Sequence, residues 1–109
     1  MIDKKQIMIF MSSAETLYAT KDYTSATILY FKTLFAIQDY LLLEETGESP
    51  KDHSSRFRKL EKYFPQLFKE LDMEFDTYRD TYSKIIDKET CMRIKRLVEN
   101  DLKKYKIKE

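Results

Sequence analysis

The stretch "YTSATILYFKTLFAIQDYLLLEETG", residues 23–47, decides the fold. Wound at about 3.6 residues per turn, it carries apolar side chains on more than one face. Ala26, Leu29, Tyr30, Leu34, Ile37 and Leu41 cover one side, while Ile28, Phe31, Phe35 and Leu42 cover another. A helix that is apolar around most of its girth needs partners on several sides, so this one belongs at the centre of a helical domain. A single thin polar stripe remains, formed by Ser25, Lys32 and Asp39 at seven-residue spacing. Gly47, the only glycine in the chain, stands where a left-handed residue closes a helix.

Working outward, residues 4–20 repeat apolar side chains every three or four positions (Ile7, Phe10, Met11, Ala14, Leu17, Tyr18), with Asp3 as N-cap. Asp22 is placed to cap the central helix. After Gly47, "ESPKDHSSRFRKLEKYF" predicts a short third helix with Ser49 as N-cap, Pro50 at its first position and Asp52 completing a variant capping box. Pro65 ends that helix and opens a fourth over about residues 65–86, expected to bury Phe68, Leu71, Phe75, Tyr78, Tyr82 and Ile85. Asp87 caps a fifth helix carrying Cys91, Ile94, Leu97, Val98, Leu102 and Tyr105. With one Gly and two Pro there is too little turn chemistry for a set of hairpins. The expected architecture is all-α: one domain over residues 1–109, an up-and-down bundle of four long helices with one short inserted helix.

The charge balance bears on partners. Twenty basic and nineteen acidic residues leave a net charge of +1, which argues against a strongly basic DNA-binding domain. The sign is unevenly distributed, from a net of −3 over residues 1–48 to +4 over residues 88–109. A single cysteine, Cys91, precludes an intrachain disulfide and fits a reducing compartment. The apolar run Ile7–Met11 is shorter than the roughly 7–15 residues of a secretion signal, and Gln38 and Asp39 interrupt "LFAIQDYLLL". These features predict a cytoplasmic protein without a membrane span. Seven Phe and eight Tyr exceed what a small bundle readily hides, and predict a homodimer.

Several chemistries have no material to work with. No glycine-rich phosphate loop can be built, one Cys and one His do not make a zinc site, and no Glu-x-x-His pair occurs for a di-metal bundle. No cofactor is expected. The candidate binding residues are Arg79, Tyr82, Asp39, Lys32 and His53. Arg79 stands three residues after Asp76, the spacing of a surface ion pair. It also stands beside Tyr78 and Tyr82, surroundings in which a guanidinium can hold phosphate in bidentate fashion. His53, at a helix start, is expected to be a neutral imidazole.

Residues 23–64, with their aromatic, alanine-bearing helix leading through Gly47 to a Pro/Lys/His helix start, resemble the first half of a HEPN domain. "YRDTYSK", residues 78–84, is similar to the segment where that family places an arginine followed closely by a tyrosine. The resemblance runs over roughly residues 14–105. It implies a helical bundle that dimerises, with Arg79 as motif arginine near the dimer cleft and Tyr82 as its tyrosine. His53 would match the histidine that opens the third helix, and Asp39 an inward polar residue of the second. Family members include RNA-cleaving toxins of toxin–antitoxin pairs, partners of small nucleotidyltransferases, and proteins inferred to bind nucleotides. Catalytic members carry a histidine some four to six residues after the arginine, and here none follows Arg79. Tyr82, with an ordinary pKa of about 10, is a poor base at neutral pH. The expectation is therefore binding of nucleotide, RNA or a small nucleotidyltransferase rather than turnover. The rivals are a helical protein-interaction adaptor and a metal-independent ribonuclease.

Overall fold

The computed structural model describes residues 2–108, which form five helices and no strand. These are α1 (Lys4–Ala19), α2 (Tyr23–Thr46), α3 (His53–Tyr63), α4 (Pro65–Asp80) and α5 (Lys88–Lys104). Four of them begin on an aspartate whose carboxylate accepts the amide three residues on: Asp3 from Gln6 (2.8 Å), Asp22 from Ser25 (3.2 Å), Asp52 from Ser55 (2.8 Å) and Asp87 from Thr90 (2.8 Å). Each satisfies one of the amides that a helix start leaves without a partner. Gly47 closes α2 at φ 78°, the left-handed conformation that a side chain resists.

The central role of α2 follows from its two apolar sides. It packs against all four other helices. Toward α1 and α5, Tyr30, Phe31, Leu34 and Ile37 join Ile7, Ala14, Ile94 and Val98 in one fully buried cluster. Toward α3 and α4, Leu42 joins Leu60, Leu67 and Leu71 in a second. By length and composition α2 could cross a membrane, yet its apolar faces are the core of the bundle. Cys91 is buried within the first cluster, as its apolar helix face predicts.

Two expectations change. The third helix starts at Asp52, not Ser49, so His53 becomes its first residue and Arg56 lies one turn later on the same face. The fourth helix stops at Asp80, about six residues early. There Thr81 turns its hydroxyl onto the Tyr78 carbonyl (2.6 Å), while the amides of Tyr82, Ser83 and Lys84 fold back in a tight turn. Ser and Thr compete for helical carbonyls in this way. The Ile86 amide then donates to Thr24 Oγ1 (2.8 Å), which pins the connection to α2. Consequently Ile86 is the buried residue, whereas Tyr82 (76% exposed) and Ile85 (94% exposed) stand in solvent instead of joining the core.

Candidate functional site

Asp39 is a half-buried carboxylate in the middle of the largely apolar α2, and burial pushes its pKa above the usual carboxylate range against the pull of a neighbouring guanidinium. That neighbour is Arg56, which α3 lays across α2. Its Nε donates to Asp39 Oδ1 (3.0 Å) and its Nη2 to Oδ2 (3.1 Å), the two-pronged geometry that a planar guanidinium provides. Arg56 is only 8% exposed, and its guanidinium carbon lies 4.9 Å from the Phe35 ring centroid.

The remaining nitrogen of Arg56, Nη1, lies 2.6 Å from Nδ1 of His53. A guanidinium has no acceptor, so Nδ1 receives this hydrogen bond and the ring proton sits on Nε2. Burial first, and the Arg56 charge second, lower the histidine's pKa. The neutral imidazole expected at a helix start is thus produced mainly by desolvation and a cation. The ring is walled by Phe35, Phe75 and Tyr78, whose centroids lie 4.9, 5.3 and 5.4 Å away.

Phe35 and Tyr78 are also two walls of an open notch of about 310 Å³, completed by Ile28, Lys32 and Tyr82. The hydroxyls of Tyr78 and Tyr82 share a hydrogen bond at 2.6 Å. Burial, and then this bond, push Tyr78 up to about 12, so it stays a neutral phenol. Lys32 is exposed, with Nζ 5.0 Å from the Phe10 ring centroid. Among the described residues it forms no ion pair. A free ammonium beside open aromatic faces can hold an anion while a planar ring stacks next to it. A larger groove of about 610 Å³ runs between α4 and α5, away from this constellation.

Of the five candidates read from sequence, the structure joins Asp39 and His53 through Arg56, and places Lys32 and Tyr82 in the adjoining notch. Arg79 departs from expectation. Its guanidinium is exposed, pairs with Asp76 one turn back and does not line the notch. Leu67, Leu71, Glu74 and Tyr78 form the inward stripe of α4, and Arg79 follows Tyr78 by about 100° of helical rotation, which turns it to solvent. The central residue, Arg56, was missed. Two signals pointed to it: it falls four residues before Leu60 on the apolar face of α3, and Asp39 needed a cation.

No protein-family model matches the chain, and neither the curated proteins nor the solved structures contain a match.

Proposed function

We propose that this chain is a HEPN-like helical module that binds nucleotide or single-stranded RNA without turning it over. The observation that carries the reading is the notch, where the ammonium of Lys32, without an ion pair among the described residues, shares the lining with the exposed ring of Tyr82 and the half-buried rings of Phe35 and Tyr78. Phosphate on the cation and a base stacked on Tyr82 form the minimal recognition set for a single strand. The resemblance of residues 23–64 to HEPN proteins supports it, with one revision: the cation is Lys32 rather than Arg79. The same reading takes the protein to be a cytoplasmic homodimer in which Ile85, exposed in the single chain and outside the notch, meets a second copy.

The chemistry of His53 favours binding over cleavage. Activating a ribose 2′-hydroxyl requires a base with an available lone pair. The Nδ1 lone pair of His53 is taken by Arg56, and protonating it would set two cations in contact. Tyr78 offers a phenol that remains protonated at neutral pH.

Fluorescence anisotropy with a labelled short RNA and with a nucleotide tests the reading. Salt-dependent binding that weakens in both Lys32→Ala and Tyr82→Ala is the expected result. Absence of binding to either probe at low salt rejects it in favour of a protein-interaction adaptor. Metal-independent cleavage of the RNA at many turnovers per minute rejects it in favour of a ribonuclease.

A further inference from the structure

Asp101 of α5 is 2% exposed, and its Oδ2 has no hydrogen-bond partner among the described residues. Glu70 of α4 lies within hydrogen-bonding reach, and its own Oε1 is buried and equally without a donor. Two carboxylates cannot satisfy one another, because both only accept and both carry charge. A single proton changes that: one oxygen becomes a donor, the other accepts, and the repulsion disappears. We propose that Glu70 and Asp101 share one proton across the α4–α5 seam, and that this acid–acid hydrogen bond is a latch whose release at alkaline pH lets the two helices part.

The seam is built to depend on such a latch. No Cα of α4 comes within 8 Å of one in α5, so side chains alone bridge the pair. One turn along from Glu70, Glu74 takes two hydrogen bonds from Arg93, at 2.8 and 3.0 Å. The bond to Glu74 raises the pKa of Arg93, so the guanidinium stays charged and this pair acts as the fixed end. The Glu70–Asp101 contact is the end that titrates. The open groove of about 610 Å³, with Glu70, Glu74 and Arg93 in its lining, provides the space into which the seam opens.

The charged groups acting on Asp101 are Glu70 from α4 and Lys104 from α5, with the Tyr105 phenol nearby. Burial, then the bond to Glu70 and its charge, push Asp101 up to about 8, while Lys104 opposes them. A carboxyl group raised in the folded state stabilises fully below its unfolded pKa, about 4. That contribution declines as pH rises and is gone above about 8.

Carboxyl carbon NMR on the intact chain is the direct test, with the Asp101 resonance expected to titrate near 8. Between about pH 6 and about pH 9 the parent should lose at least about 5 °C of thermal midpoint relative to Asp101→Asn, whose amide donates to Glu70 at every pH. Should that variant fail to fold, Glu70→Gln provides the same permanent donor and the same expected flat profile. An Asp101 titration midpoint below about 5, or a substituted chain with the parent's pH profile, overturns the proposal.

Discussion

Arg56 and Asp39 meet through two hydrogen bonds, at 3.0 and 3.1 Å, with the arginine on α3 and the aspartate on α2. Their side chains are 10% and 21% exposed, so each depends on the other for much of its lost hydration. Removing one partner strands the other charge. Arg56→Leu or Asp39→Leu should each cost about 2–4 kcal/mol in urea unfolding, somewhat less than a fully buried pair. The double substitution should recover much of that loss. Single variants within about 0.5 kcal/mol of the parent would show that the pair contributes little.

His53 is the only histidine, so its proton NMR titration is unambiguous. Its midpoint should fall below the ordinary value of about 6.5, because burial and Arg56 disfavour the imidazolium. A histidine depressed in the folded state contributes stability above about pH 6.5 and loses it as pH falls toward the folded pKa. Stability should therefore decline on acidification below about pH 6.5 in the parent, and less steeply in His53→Gln. A midpoint above 6.5 would contradict the donor–acceptor assignment at Nδ1.

Gln38 is fully buried in α2, and neither its amide nitrogen nor its oxygen has a partner among the described residues. An unsatisfied buried amide costs free energy that an apolar side chain of similar volume does not. Gln38→Met should raise stability by about 1–2 kcal/mol, read as a higher thermal midpoint. A lower midpoint would show that the amide is satisfied in solution.

In the notch, Lys32→Ala should lower the salt slope of RNA binding by about 0.7, the value for one phosphate contact on a single strand. Tyr82→Ala should cost about 1–3 kcal/mol of binding, as loss of one stacked base does. Arg79→Ala should leave binding unchanged, since its guanidinium faces solvent beside Asp76. Because Lys32, Tyr82 and Arg79 are all exposed, the thermal midpoint should hardly move in any of the three. Weakened binding in Arg79→Ala alone would return the cation role to that residue.

The sequence alone determined which segments are helical and which helix is central. Aspartate caps, a closing glycine and three-to-four-residue apolar spacing are local features, and Asp3, Asp22, Asp87 and Gly47 each behave as their chemistry requires. It also marked Lys32 and Asp39 as a polar stripe on an apolar helix, His53 at a helix start and Tyr82 as an aromatic neighbour of Arg79. Tertiary structure decided which of these groups meet. The packing of α3 against α2 brings Arg56 onto Asp39, and the early end of α4 leaves Tyr82 and Ile85 in solvent. Arg79 then turned outward while Arg56, unremarkable as a letter, became the hub. The reason is that spacing fixes which residues share a helix face, whereas which faces meet is set by packing between residues far apart in sequence, such as Arg56 and Asp39, 17 positions from one another.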